Sequence, residues 1–275
     1  MYTNVERLIV RPHERREALV NYPPSVLLCH HPDYLKIADD FTQELPGFVR
    51  DNAWADQTHY RQKYIYKGIP FVLDDARDSA RGTMRHSERH YMWGARLIIN
   101  IGAAGGINPN LNIGNFVIGD RAIRDNGIDW DLATPDEKAL SDRIVNDAIY
   151  SVITDNNQSD QLIERGDVWT VGHKYYTRDR LDDLQSGGEY DPQVVDMEMA
   201  PFCVMAGWLN ANYSSNKGVL RVGNFFYISD LVPQKHEGKW DDTINDIGKL
   251  LPFKKSVLRW TIDAVASLHN EVKSE

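Results

Sequence analysis

The chain has 275 residues, which is enough for one large α/β domain with a buried core. Its 42% hydrophobic and 26% charged residues are ordinary for a globular protein, and its net charge of −9 argues against binding to a nucleic-acid backbone. It shows no apolar run long enough to span a membrane and no signal-peptide pattern, so we expect a cytoplasmic protein without a membrane partner. The cysteines, Cys29 and Cys203, lie in apolar segments and are predicted to be buried thiols.

The first third of the chain begins with a polar, arginine-rich stretch and continues with short apolar runs. We expect residues 1–24 to form an arm or a short helix outside the core, and the Pro-Pro pair that ends this stretch disfavours helix there. The apolar run 26–29 predicts a buried strand, and Pro32 predicts the start of a helix that reaches residue 41. The runs 64–66 and 71–73 flank a Gly-Ile-Pro segment and predict a hairpin, which a polar helix over 81–94 follows.

The remainder of the chain alternates between apolar strands and amphipathic helices. Strands are predicted at 97–101, 116–118, 168–171 and 218–228, with a small-residue loop at 102–106 after the first of them. Helices are predicted at 135–155, 199–209 and 242–270, the first with a buried face formed by Leu140, Ile144, Ala148 and Val152. This alternation predicts one α/β domain over 25–275, with a sheet covered by helices on both faces.

Three segments carry a family resemblance. They are the strand and small-residue loop over 97–106, the Val-Asp-Met-Glu-Met-Ala run over 195–200, and the Ile-Ser-Asp run over 228–230. In this order they resemble the nucleoside phosphorylase and nucleosidase superfamily, whose members cut the bond between a ribose and a base. The resemblance extends over roughly residues 25 to 265. It implies a three-layer α/β sandwich with a central mixed sheet, a homo-oligomer, and a small nucleoside or nucleotide substrate.

The ribose would be held by the Met-Glu pair. Glu198 is a carboxylate in an apolar run, where a charge must find partners, and two ribose hydroxyls are suitable donors. Its charge would also stabilise the ribosyl cation that develops as the base departs. The resemblance gives this role to Glu198 and packs Met197 against the sugar, with Asp196 beside them. The alternative is a carboxylate that only stabilises a helix N-terminus.

The base would be contacted by an aspartate and by aromatic side chains. In the purine-specific branch of the family the aspartate of the Ser-Asp pair protonates purine N7, which implies this role for Asp230 with Ser229 beside it. The resemblance also implies that Tyr175 stacks on the base, next to Tyr176. The arginine that assists the aspartate in hexameric relatives is missing near Thr243, unless Lys235 or Lys239 replaces it. Alternatively, the Ser-Asp pair forms a turn or caps a helix.

The phosphate site of the phosphorylases is replaced. Compared with the family pattern, His30 stands in place of a glycine and Tyr34 in place of an arginine. Asn100 and Ala103 replace an arginine and a serine, and Gln57 replaces a further arginine. A phosphate dianion needs charged, bidentate donors, which neutral side chains do not provide. The backbone of Gly102, Ala103 and Ala104 remains, so phosphorolysis is disfavoured and water becomes the expected nucleophile.

Hydrolytic relatives activate water with a glutamate in the turn after the first strand, and that turn has no glutamate here. Its candidates are His30, His31 and Asp33, of which we favour His30 because an imidazole is a suitable base near neutral pH. The alternative is that both histidines are structural or that one of them binds the sugar. Arg81 and Arg85 lie where relatives carry a glycine-rich turn near the ribose. They would hold a 5′-phosphate if the substrate is a nucleotide, or form a solvated basic turn.

The sequence therefore predicts a purine nucleosidase that needs neither a cofactor nor a metal ion. Two enzymatic alternatives stay open: a nucleotide-directed nucleosidase, and a phosphorylase with a rebuilt anion site. A non-catalytic nucleoside-binding or storage protein is a third, favoured by the missing arginines and disfavoured by the joint presence of Met197, Glu198 and Asp230.

Overall fold

A computed structural model describes residues 21–54, 57–77, 79–134, 136–156, 161–172, 178–186, 190–232 and 247–273. The strands are β1 (Ser25–Cys29), β2 (Phe48–Arg50), β3 (Arg61–Tyr66), β4 (Ile69–Asp75), β5 (Leu97–Gly106), β6 (Phe116–Asp125), β7 (Ala139–Leu140), β8 (Ile163–Val171), β9 (Pro192–Asp196) and β10 (Arg221–Leu231). The helices are α1 (Asp33–Glu44), α2 (Ser79–Trp93), α3 (Arg143–Asn156), α4 (Arg178–Ser186), α5 (Met199–Lys217) and α6 (Ile247–Lys273).

All of these strands belong to one mixed sheet in the order β10-β6-β8-β9-β5-β1-β4-β3-β2, with β7 paired to β6. An additional pairing between β10 and β5 closes β5, β9, β8, β6 and β10 into a ring. β1, β4 and β5 run parallel, while β3 joins β4 through the predicted antiparallel hairpin. The sheet with helices around it confirms the predicted mixed α/β class.

Helices cover the sheet on both faces because the central strands are apolar on both sides. In β1, Val26 and Leu28 join one core cluster, and Leu27 and Cys29 join another. The first cluster includes residues of α2 and α5, and the second includes residues of α1, α3 and α6. This period-two division is the pattern of a strand buried on both faces. Both cysteines are buried free thiols, as predicted.

The predicted helix over 135–155 is wrong at its start and in its buried face. α3 begins at Arg143, because residues 139–140 pair with β6 as β7. Its buried residues are Val145, Asn146, Ile149 and Ile153, whereas Leu140 and Ile144 are exposed and Ala148 and Val152 are only partly buried. The sequence pattern therefore places the apolar stripe one residue too early.

One further boundary differs from expectation. The predicted small-residue loop over 102–106 is part of β5, which continues to Gly106 and pairs there with β9 and β10. Tyr22, assigned to the arm, is buried against Trp54 and Trp93, while residues 1–20 lie outside the described part of the chain. No helix among the described residues has the length and apolarity to cross a bilayer.

Candidate functional site

One edge of β5 is open where two neighbouring strands end. β1 pairs with β5 along this edge as far as Ile101, and β9 pairs with the same edge at Gly105 and Gly106. In the described registers, residues 102–104 have no partner strand on this edge. His30 directly follows β1, and Asp196 is the last residue of β9. Two chain segments with candidate site residues thus leave the sheet at the same opening, where α/β proteins characteristically bind ligands.

Glycines bound this opening at both ends. A Cβ on Gly102 would lie 3.8 Å from the ring of His30, and a Cβ on Gly105 would lie 3.2 Å from a carboxylate oxygen of Asp230. The missing side chains let both groups approach the backbone of β5. The structure therefore brings the predicted base and the predicted acid to the same strand.

His30 has one bonded and one unpartnered ring nitrogen. Its Nε2 lies 2.7 Å from the side-chain oxygen of Asn100. Its Nδ1 is buried and has no hydrogen-bond partner among the described residues. A buried polar atom without a partner is costly in a folded protein, and it is a place where a ligand or water is expected to bind.

A chain of hydrogen bonds fixes which nitrogen of His30 carries the proton. The Ser141 hydroxyl donates to the Gly119 carbonyl at 2.6 Å, so its oxygen accepts from the amide nitrogen of Asn224 at 3.0 Å. The oxygen of Asn224 then accepts from the amide nitrogen of Asn100 at 2.9 Å. The oxygen of Asn100 is left to face His30, whose Nε2 must be the N–H donor. Nδ1 therefore presents a lone pair.

The surroundings keep this imidazole neutral. Burial lowers the pKa of His30 below its usual value, against the smaller opposing effects of the Asn100 hydrogen bond and the carboxylates of Asp196 and Asp75. A neutral imidazole with an unpartnered lone pair can accept a proton near neutral pH. His30 thus has the protonation state of a general base.

Asp196 is engaged by the protein itself. One of its carboxylate oxygens accepts a hydrogen bond from the Thr170 hydroxyl at 2.6 Å. The other accepts from the backbone N–H groups of Met199 at 2.7 Å and Glu198 at 3.1 Å, which caps the start of α5. These contacts give Asp196 a positioning role at the turn that presents Glu198.

Glu198 is held less tightly. Among the described residues, its carboxylate accepts one hydrogen bond, from the backbone N–H of Met197 at 3.3 Å. Burial raises the pKa of Glu198, and burial together with the charge of Glu198 raises the pKa of Asp196. A desolvated carboxylate with a single long hydrogen bond has acceptor capacity for additional donors, such as sugar hydroxyls. Met197 packs beside it against the cluster that contains Trp169.

Asp230 does not follow β10, as the sequence predicted, but lies inside it at an irregularity. Ile228 pairs with Ala104 and Asp230 with Gly105, which leaves Ser229 as an extra residue. The Ser229 hydroxyl donates to the Asp230 carboxylate at 2.5 Å. Bulges of this kind redirect a side chain, and here the bulge places the Asp230 carboxylate beside β5.

The positions that carry phosphate ligands in the phosphorylases have other contacts here. Asn100 is buried, and both its side-chain oxygen and nitrogen bond to protein groups, while Tyr34 is buried in the core. In the turn after β1, the Lys254 ammonium from α6 lies 2.7 Å from Asp33, which also lies 3.1 Å from His31. The two alternative base candidates thus belong to an ion-pair cluster with this lysine.

Other predicted site residues are not brought to this opening by the described contacts. Arg81 and Arg85 are exposed on α2. Tyr175 and Tyr176, like Thr243, lie outside the described residues.

A cluster of polar side chains beside this site is not among the residues predicted from the sequence. Asp74 at the end of β4 accepts hydrogen bonds from His86 and His90 of α2, each at 2.6 Å. The two histidine contacts strongly lower the pKa of Asp74 against the opposing effect of burial. Asp74 pairs in register with Leu28 of β1, two residues before His30, which places the cluster beside the opening. The signal in the sequence is the four-residue spacing of the two histidines.

A family model described as "Phosphorylase superfamily" matches residues 77–247, more than half of the chain. The chain belongs to this superfamily. Members of the superfamily are nucleosidases or nucleoside phosphorylases, which confirms the class of enzyme that the sequence predicted.

Solved structures show the same fold. An AMP nucleosidase from Bacteroides thetaiotaomicron is similar with a TM-score of 0.65 and 19% identity, over 94% of this chain and 92% of that chain. A uridine phosphorylase from Vibrio fischeri has a TM-score of 0.69 and 16% identity, over 93% and 97%. A purine nucleoside phosphorylase from Toxoplasma gondii has a TM-score of 0.70 and 17% identity, over 96% and 98%. No curated protein sequence matches the chain.

Proposed function

We propose that the protein hydrolyses the N-glycosidic bond of a purine nucleoside or a related compound. The observation that carries this proposal is the buried Nδ1 of His30, which has no partner among the described residues and whose lone pair is fixed by the Asn100–Asn224–Ser141 chain. A water molecule bonded to this nitrogen would lie in the turn after β1, from which the family's hydrolases are expected to activate water.

The nucleophile is water because the described residues around the opening leave phosphate without suitable ligands. A phosphate dianion would face the amide of Asn100, which already has two protein partners. The nearby Lys254 is neutralised by Asp33, so phosphate would have to displace that carboxylate. Neutral groups and a paired lysine do not replace bidentate arginines.

In the proposed reaction the water oxygen bonds to the anomeric carbon while the carbon–nitrogen bond to the purine breaks. His30 Nδ1 takes a proton from water, and the electron pair of the broken bond goes to the base. Glu198 accepts hydrogen bonds from the ribose hydroxyls and stabilises the cationic sugar. Asp230 supplies a proton to purine N7, which makes the base a better leaving group.

The choice of a purine rests on Asp230, which pyrimidine-specific relatives are expected to lack. A 5′-phosphate on the substrate stays a hypothesis, because Arg81 and Arg85 are exposed and no described contact directs them to the opening. The homo-oligomeric state and the cytoplasmic location stay predictions as well.

The test is chromatographic detection of free base from a panel of purine and pyrimidine nucleosides and 5′-nucleotides, with and without phosphate. We expect a purine to be released at the same rate in both conditions. His30→Gln should lower that rate by about 10²–10⁴-fold, the usual contribution of a general base. The matched control His59→Gln changes an exposed histidine and should leave the rate unaltered. Release that strictly needs phosphate, or full activity of His30→Gln, would contradict the proposal.

A further inference from the structure

The cluster of Asp74, His86 and His90 has a geometry that the proposed reaction does not use. We propose that these three side chains form a binding site for a divalent transition-metal ion, with zinc as the preferred occupant. No metal ion is predicted from the sequence. Metal binding at this cluster is independent of the proposed function, because it is measured without turnover.

The three potential ligand atoms converge from two different elements. A carboxylate oxygen of Asp74, Nδ1 of His86 and Nε2 of His90 all lie within 4.8 Å of one another. The two histidines are four residues apart on α2, so they project from the same helix face toward the end of β4. Two imidazoles and one carboxylate form a ligand set that is typical of zinc and non-haem iron sites.

The cluster also has the outer contacts that orient metal ligands. The other ring nitrogen of His90 lies 2.5 Å from the Tyr22 hydroxyl, and its ring packs edge-on against Trp93 at 5.9 Å. Metal-ligating histidines usually have an oxygen partner on the second nitrogen, which fixes the tautomer and the ring orientation. His90 is therefore held in place from behind by groups that are not themselves ligands.

Access to the site lies on the side of His86. The side chains of Asp74 and His90 are 2% and 0% exposed, whereas that of His86 is 20% exposed. Three protein ligands with one more accessible side leave a coordination position for water, as in catalytic zinc sites.

Metal binding needs only small movements and a change of tautomer. Both histidines now donate an N–H to Asp74 at 2.6 Å, while neighbouring ligand atoms around tetrahedral zinc are about 3.3 Å apart, given zinc–ligand distances of roughly 2.0–2.1 Å. Each imidazole must therefore move outward by roughly 0.7 Å. The proton of His90 moves to Nδ1 and is donated to the Tyr22 oxygen, and the proton of His86 moves to Nε2. No oxidant or reductant is required.

The ligand set also predicts the selectivity. Imidazole favours zinc, copper, iron and nickel, whereas magnesium and calcium prefer oxygen ligands. We expect the full-length protein, after treatment with a chelator and gel filtration, to bind one zinc ion per chain in a calorimetric titration. Magnesium should give no heat of binding at the same concentrations. Cobalt should give the intense visible absorption of a four-coordinate ion.

Two variants assign the binding to these residues. His86→Ala removes the most accessible ligand and should weaken zinc affinity more than tenfold. Tyr22→Phe removes only the hydroxyl behind His90 and should weaken affinity about 10- to 100-fold, as losses of such outer partners do. His59→Ala, an exposed histidine outside the cluster, should bind zinc like the wild type. Circular dichroism checks that each variant is folded.

The outcomes separate clearly. The site is supported if zinc binds one-to-one, if His86→Ala and Tyr22→Phe weaken this binding, and if His59→Ala leaves it unchanged. Absence of zinc binding up to millimolar concentration, or binding that is unchanged in His86→Ala, would overturn it. The three residues would then form a hydrogen-bonded cluster only.

Discussion

The substitution Asn100→Asp tests whether His30 acts as a neutral base. The side-chain oxygen of Asn100 lies 2.7 Å from Nε2 of His30, so the variant places a negative charge in a charge-assisted hydrogen bond with the imidazole. An opposite charge at such a distance changes a pKa by about 1–3 pH units. In the wild type burial lowers the pKa of His30, whereas in the variant the imidazolium is stabilised.

We expect Asn100→Asp to lower the activity near neutral pH, and we expect the activity to return at alkaline pH. If the pKa of His30 rises to one pH unit above the assay pH, about a tenth of the enzyme keeps a neutral base. In the wild type we expect the acid limb of kcat/KM to reflect Glu198, whose pKa burial raises. In Asn100→Asp the limb should move to higher pH, because His30 then becomes the last group to lose its proton.

The assay is base release over pH 5 to 10 for the wild type, Asn100→Asp and the matched control Asn110→Asp, in which the changed residue is exposed. Loss of the bond to Asn224 should cost about 1–3 kcal/mol of stability, which thermal unfolding measures separately. A loss of activity in Asn100→Asp that is equal at every pH, or an unshifted acid limb, would refute the reasoning about His30.

Three other changes have defined outcomes. Glu198→Gln should abolish turnover but raise stability more at pH 8 than at pH 5. Burial raises the pKa of Glu198 in the folded state, so its ionisation lowers the stability of the folded protein as pH rises. The loss is about 1.4 kcal/mol for each pH unit between the folded and the unfolded pKa. The neutral Gln side chain removes this loss. Asp230→Asn should slow purine release by about 10²–10⁴-fold but spare a 7-methylated purine nucleoside, whose base already carries the positive charge. Gly105→Ala should impair turnover because its Cβ would lie 3.0 Å from Val195 and 3.2 Å from Asp230, whereas the control Gly207→Ala has open space around it among the described residues.

Each of these predictions can be contradicted by a specific experimental outcome. Equal stability changes at both pH values would contradict the buried charge of Glu198, and thermal unfolding measures them. Equal slowing of both substrates in Asp230→Asn would argue against a proton donor. Wild-type kinetics in Gly105→Ala would mean that Asp230 does not need its position beside β5.

The sequence is sufficient for elements whose local pattern and packing agree. The run 26–29 is apolar at every position and is buried on both faces as β1, and the hairpin around Gly68 has the positive φ of 78° that favours glycine. The Asp-Met-Glu run also identifies the turn between β9 and α5, because a carboxylate in an apolar segment needs a specific partner.

Features that depend on pairing across the sheet are not predictable from local patterns. Small residues are uncommon in strands, so the composition of 102–106 predicts a loop where β5 in fact continues. Its strand character comes from hydrogen bonds to β10 and β9, which are about ninety or more residues away in the chain. The Asn100–Asn224 bond likewise joins distant segments, so no motif shows it.

In the proposed reaction water, and not phosphate, attacks the sugar. Phosphorus NMR of one reaction run in phosphate buffer, followed while chromatography records the free purine, tests it most directly. We predict that the purine accumulates while the inorganic phosphate signal stays constant and no ribose 1-phosphate signal grows. Formation of ribose 1-phosphate in step with the purine would contradict the account, and would mean that the opening beside β5 binds phosphate.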